Sequence, residues 1–378
     1  MKKVVLIPDS FKGTMSSGEI CAIMRRAVLA HYPAAQVVSV PVADGGEGSV
    51  DAFLCAVGGQ RRTVRVAGPF FQEMESFYGV LDDGKTAVIE MAACAGLPLT
   101  EGRRNPLEAT TYGVGQLIRH AVESGCRTVI MGLGGSATND GGCGAAAAAG
   151  ARFLGPDGKE FVPVGGTLKE ICSIDLSHML PQLAETDIIT MCDIDNPLYG
   201  PSGAAHVFAP QKGADEKQVA LLDDGLQHLD RVIQHCLGLH TAQLPGAGAA
   251  GGMGCGMAAF FHSRLQMGIE TVLDTVHFDR LLSGADMVFT GEGKIDSQSA
   301  RGKVVSGVAL RTAAAGVPLI AVVGDIGDGA GALYEKGVSA IFSINRVAVP
   351  YEEARPRAKD DLYWTMDNLM RFFKRMEL

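Results

Sequence analysis

No two of the nine cysteines stand in a C-x-x-C pair, and the nine histidines show neither H-x-H nor H-E-x-x-H spacing. A disulfide framework and a structural zinc site are therefore not expected, and the thiols should be reduced. No Lys/Arg-rich run occurs and the net charge is −9, which removes the electrostatic footprint of a nucleic-acid binder. No uninterrupted apolar stretch approaches the roughly 20 residues of a membrane span. The first apolar run, Val4 to Ile7, stops at Pro8-Asp9, too soon for the core of a signal peptide. A cytoplasmic protein with neither nucleic acid nor membrane as partner is expected. Gly79 to Thr86 spells G-x-x-x-x-G-K-T, but it spans the strand-like Ser76 to Leu81, the probable hairpin turn Asp82-Asp83-Gly84 and the strand-like Thr86 to Met91, with no helix after it, and Gly302-Lys303 lacks both the upstream glycine and the hydroxyl, so a P-loop is not expected.

What is present is ample apolar material: 378 residues, 47% hydrophobic and 20% charged. That length exceeds one core of roughly 100–200 residues, so two domains are expected. Val4 to Ile7 predicts a buried strand, and Ser16-Ser17-Gly18-Glu19 reads as a capping box opening a helix with Ile20, Ile23, Met24, Ala27 and Val28 on one face. Gln36 to Val42 alternates as a second strand. The same grammar returns late, with apolar strands at Asp286 to Thr290, Leu319 to Val323 and Ala340 to Ile344. Two early strands and three late ones predict an α/β fold. Its first domain is a discontinuous five-stranded parallel sheet of flavodoxin-like or Rossmann-like order, built from 1–64 and 285–378. Residues 65–284 then form an inserted mixed α/β domain, with the active site expected in the cleft between the two.

In open parallel sheets ligands lie beyond the carboxyl ends of strands. The loops there combine glycine with acids, hydroxyls and lysine: Pro8 to Gly13, Asp44 to Gly48, Gly134 to Gly142, Asp193 to Pro197 and Gly291 to Asp296. Gly134 to Gly142 leads from a strand into an Ala-rich helix, an arrangement that offers backbone N–H groups to a phosphate. Gly134, Gly135, Ser136, Thr138 and Asn139 are its candidate ligand groups; a plain tight turn is the bland alternative. Gly246 to Gly251 matches G-x-G-x-x-G but has no strand before it, which makes it weak as a dinucleotide site. Phosphoryl transfer needs oxygens for Mg²⁺, cations against phosphate charge and a carboxylate to orient the acceptor. Asp9, Asp44, Glu47, Asp193, Glu292 and Asp296 supply acids, and Lys12, Arg301 and Lys303 supply cations. Singly, each acid is more often an N-cap or turn residue, and it is their convergence at strand ends that points to chemistry.

Six blocks in order carry a resemblance: Pro8 to Gly13, Ala43 to Gly48, Gly134 to Gly142, Asn196 to Gly200, Pro245 to Gly252 and Gly291 to Asp296. Together they resemble the bacterial glycerate kinase family, in particular the class that makes 2-phosphoglycerate in glyoxylate and glucarate utilisation. The resemblance implies ATP and Mg²⁺ as cofactors, D-glycerate as substrate and a two-domain fold with an insertion. The roles are read from the residues. Asp193 is the first candidate for proton acceptor and Asp296 the next. Lys12, Arg301 or a helix N-terminus would hold the substrate carboxylate, and Asp9 or Asp44 would hold Mg²⁺ or loop structure. Ser10, Asn196, Gly291, Gly293 and Lys303 complete the candidate binding set. Domain closure would exclude water, and monomer and homodimer both stay open. The rival readings are an NAD-dependent 2-hydroxy-acid dehydrogenase, a hinged binding protein, and the same kinase producing 3-phosphoglycerate.

Overall fold

The computed structural model describes residues 1–42, 45–100, 102–297, 299 and 303–376. The chain forms two compact units, one of Met1–Ala43, Cys55–Val57 and Ile269–Leu378, the other of Asp44–Leu54 and Gly58–Gly268. The divisions expected from the sequence fell at 64/65 and 284/285. Residues 59–64 lie in the second unit because the strand Gly59–Ala67 pairs along its whole length with Glu73–Leu81.

In the first unit the sheet order is Val338–Ser343, Leu319–Val323, Met287–Gly291, Lys3–Pro8, Gln36–Ser39, and every pairing is parallel. Numbered along the chain within this unit, the order is 2-1-3-4-5, the flavodoxin-like arrangement. Both faces of the central strands are buried, which is why they read as continuous apolar runs. Val4, Leu6, Phe289 and Val322 pack with Ile20, Met24 and Val28 of the helix Ser17–His31 and with Leu362, Met366 and Met370 of the helix Ala358–Arg375. The helix Val304–Ala315 serves the same sheet, with Val305 and Val308 fully buried. Ser16 caps Ser17–His31 through the expected reciprocal box with Glu19. The strand order reverses between Lys3–Pro8 and Met287–Gly291, whose registers match from Val4↔Met287 to Pro8↔Gly291. That reversal is a topological switch point, where such sheets hold their ligands.

The second unit is built on a six-stranded sheet ordered Arg264–Gln266, Asp187–Met191, Thr128–Gly132, Thr86–Glu90, Glu73–Leu81, Gly59–Ala67. The first four strands run parallel and the last two antiparallel, with the turn Asp82-Asp83-Gly84 joining Glu73–Leu81 to Thr86–Glu90 as expected. Glu90 lies level with Gly132, and Gly132 with Met191. The loops after these strands therefore leave one edge of the sheet together. No helix among the described residues is long and apolar enough to cross a membrane.

Candidate active site

At the switch point of the first unit, the Asp9 N–H donates to Gly291 O at 2.7 Å, so the ladder continues one residue past Pro8 and sets Asp9 beside the Gly291–Glu292 turn. Ser10 N–H donates to Asp9 Oδ1 at 2.6 Å. Phe11 and Met15 then exchange backbone bonds of 2.9 and 3.0 Å. Both side chains are buried, and the closed loop leaves Lys12 and Gly13 exposed at its tip. Glu292 is buried and accepts the Ser299 hydroxyl proton. Burial pushes its carboxyl above the ordinary value; the Ser299 bond and the charges of Lys303 and Lys12 act in the opposite direction, and Asp296 adds to the rise. Asp296 is half-buried, and Lys303 occupies the N-cap position of Val304–Ala315. The structure thus brings Asp9, Lys12, Gly291, Glu292, Gly293, Asp296 and Lys303 to one strand-end cluster. Arg301 lies outside the described residues.

In the second unit, Gly134 N–H donates to Gly45 O at 2.9 Å. A Cβ on Gly134 would stand 2.5 Å from the Cα of Gly46, so glycine at 134 lets the Gly45–Gly48 and Gly134–Gly142 loops touch backbone to backbone. The Gly134–Gly142 loop is stitched further by Leu97 N–H to Gly135 O and Ala137 N–H to Ala95 O, both 2.9 Å. On its other side Gly251 takes the left-handed conformation, and a Cβ there would meet Thr138 O at 2.1 Å. Glycines 246 to 251 therefore serve close packing at the start of the helix Ala249–Phe261, and a dinucleotide fingerprint has no strand ahead of it here.

The expected ligand groups of this loop point inward. Ser136 is 6% exposed, and Thr138 and Asn139 are fully buried. Thr138 Oγ1 and both polar atoms of the Asn139 side chain have no hydrogen-bond partner among the described residues. Asp140 is fully buried and its carboxylate accepts Thr111 N–H at 2.8 Å, Thr111 O–H at 2.9 Å, Gly142 N–H at 3.1 Å and Gly144 N–H at 3.3 Å. Burial pushes its carboxyl up, against these four bonds. Lys212 is 2% exposed; its Nζ donates to Ser136 Oγ at 2.8 Å and to Thr138 O at 2.7 Å. Burial pulls its ammonium down to about 7, and the Asp140 carboxylate works the other way.

Asp193 comes after the strand Asp187–Met191, is exposed, and accepts Gly268 N–H on Oδ1 at 2.7 Å. Asn196 donates its Nδ2 proton to Ser202 O at 2.8 Å, and Glu47 is exposed. Asp44 lies outside the described residues. Among the described residues no three His, Cys, Asp or Glu side chains converge as a metal cage. An Mg²⁺ that arrives on nucleotide phosphates needs only one or two protein carboxylates, and Asp9 at the switch point fits that requirement.

Sequence reasoning missed Lys212 and Glu90. Glu90 ends the apolar run Thr86–Glu90, the same signal that singled out Asp9, and its carboxylate receives Val50 N–H at 2.6 Å and Gly48 N–H at 3.2 Å. It thereby caps the helix Ser49–Val57, whose N-cap Gly48 has no side chain for the task. Burial, set against those two bonds, raises its carboxyl above 4.5. A raised acid stabilises fully at pH below its unfolded value, and that stabilisation is lost as pH rises through the folded value. In urea unfolding from about pH 5 to about pH 8, wild type is therefore expected to lose stability relative to Glu90→Gln. The opposite slope would overturn the burial argument.

The glycerate kinase family profile matches residues 4–374. A glycerate kinase of Bacillus cereus is 43% identical over 373 residues, 98% of each chain. A glycerate 2-kinase of Escherichia coli is 42% identical over 361 residues, 95% of each. A crystal structure described as glycerate kinase 2 from Salmonella typhimurium superposes with a TM-score of 0.89 at 38% identity, covering 100% of this chain and 99% of that one. With the parallel sheet, the switch-point acids and the glycine loops in place, this chain belongs to the glycerate kinase family.

Proposed function

We propose that the chain transfers the terminal phosphoryl group of ATP to the 2-hydroxyl of D-glycerate, releasing ADP and 2-phosphoglycerate, in the cytoplasm and in the service of glyoxylate- or glucarate-type carbon use. The observation that carries this reading is the 42% identity, over 95% of both chains, to a protein named glycerate 2-kinase. The chemistry of the switch point supports it. The Lys12, Glu292, Asp296 and Lys303 cluster supplies charge of both signs there, and phosphoryl transfer depends almost wholly on positioning and electrostatics.

Asp193 accepts the proton of the attacking hydroxyl, with Asp296 as the second candidate. The substrate oxygen forms its bond to the γ-phosphorus, and the bridging oxygen leaves with ADP. Lys12, with Arg301, neutralises the glycerate carboxylate or the transferring phosphate. The Gly134–Asn139 loop with Glu47 and Asn196, and Gly291, Gly293 and Lys303 with Ser10, line the reactants. Asp9, with Asp44, holds Mg²⁺, which when bound neutralises charge on the nucleotide phosphates. Purified protein supplied with D-glycerate, ATP and Mg²⁺ is expected to form ADP and 2-phosphoglycerate in equal amounts, read by a coupled assay and by NMR of the product. Absence of turnover in a folded sample would sink the proposal, and 3-phosphoglycerate would overturn its regiochemistry.

A further inference from the structure

A lysine buried to 2% exposure is exceptional, since lysine almost never leaves water without partners. Lys212 ends the short turn Pro210–Lys212, and its Nζ reaches 76 residues back along the chain to Ser136 Oγ and 74 to Thr138 O. Both acceptors belong to the Gly134–Gly142 loop, whose backbone is already tied to Ala95, Leu97 and Gly45. The lysine is thus not needed to close the loop; what it adds is a direction for one hydroxyl. A serine hydroxyl carries one proton and two lone pairs. As an ammonium Lys212 has only protons to offer, and with Nζ donating into a lone pair at 2.8 Å the Ser136 proton points away from the charged lysine, so Ser136 becomes an oriented donor. Two neighbouring side chains of the loop, Thr138 and Asn139, carry buried polar atoms with no partner among the described residues. This stretch therefore holds more hydrogen-bonding capacity than its own fold consumes.

We propose that Lys212 is a positioning residue that acts through Ser136: held behind the loop, it turns the Ser136 hydroxyl proton toward an anionic oxygen of a reactant. That oxygen belongs to a nucleotide phosphate or to the substrate carboxylate. The assignment rests on the phosphotransfer reading for the identity of the two reactants, but its test does not require turnover.

Affinities for ADP and for D-glycerate are measured separately by calorimetry on wild type, Lys212→Met, Ser136→Ala and the double variant, with thermal midpoints alongside. Lys212→Gln replaces Lys212→Met if the latter does not fold. The expected result is that both single variants weaken the same ligand on the order of 10-fold and spare the other, while the double variant is no weaker than Ser136→Ala, because coupled residues are not additive. ADP as the weakened ligand identifies a phosphate oxygen, and glycerate identifies the carboxylate. Folded variants with unchanged affinity for both ligands would overturn the proposal, as would a double variant whose loss is the sum of the singles. A purely structural lysine would lower the thermal midpoint and leave both affinities alone. If wild type binds both ligands and transfers no phosphate, the kinase reading fails while the Lys212 assignment is still decided by the affinities.

Discussion

Asp193→Asn is expected to lower kcat by roughly 10²–10⁴-fold while leaving the thermal midpoint and ATP affinity nearly unchanged. The strand Asp187–Met191 delivers this residue, and its register with Thr128–Gly132 sets the two strand ends level. Cys192 is buried and Asp193 is exposed, so the chain leaves the sheet with the carboxylate as its first exposed group. One oxygen is fixed by Gly268 N–H at 2.7 Å. Asn196 and Pro197 stiffen the rest of the loop, with Asn196 tied to Ser202 O at 2.8 Å. A general base needs this kind of anchored geometry as well as basicity. Asparagine retains an oxygen that can accept the Gly268 bond, but it cannot take up a proton. Steady-state kinetics beside a thermal melt decide the matter. A folded variant with near-normal kcat would exclude Asp193 as the base, and so would an activity loss that tracks unfolding.

The centre of the first unit's sheet was legible because its strands are buried on both faces and need no partner to be recognised: Val4 to Ile7 and Leu319 to Val323 are apolar at every position. The Ser16–Glu19 capping box was legible for a similar reason, since both halves lie within four residues and each satisfies the other. Strand ends were less so. Gln36 to Val42 reads as one alternating strand, yet pairing with Lys3–Pro8 stops at Ser39. The acids at strand ends were found where loops advertise them with glycine. Glu90 escaped because it continues an apolar run without a glycine after it, and its partners Gly48 and Val50 stand 42 and 40 residues away. Lys212 was invisible for the stronger reason that its meaning lies in burial, and burial against Ser136 is created only when segments 76 residues apart meet. Nothing in Pro210-Gln211-Lys212-Gly213 distinguishes it from a solvated turn lysine. The Gly134–Asn139 loop reads in the sequence as a strand-to-helix turn of the kind that can cradle a phosphate, whereas the burial of its Ser136, Thr138 and Asn139 side chains is a property of tertiary packing, with Gly251 of the helix Ala249–Phe261 approaching the Thr138 carbonyl from a distant segment.

Lys12→Ala is expected to lower kcat/KM by on the order of 10²-fold or more, with little change in stability. Stability should hold because the loop is closed without it: Phe11 and Met15 bond to each other through the backbone, Gly13 takes the left-handed turn conformation at φ +74°, and the buried Phe11 ring anchors the loop. Activity should fall because the ammonium sits at the tip of that loop at the switch point, where its charge reaches Glu292. Removing a cation from a site built for anionic reactants leaves their charge uncompensated, and it also lets the already raised Glu292 carboxyl rise further. Lys12→Arg separates charge from shape: a partial return of kcat/KM assigns the effect to the cation, whereas arginine as poor as alanine assigns it to the compact ammonium and its reach. Wild-type kinetics in a folded Lys12→Ala protein would make Lys12 a solvated surface lysine and pass its proposed role to Lys303.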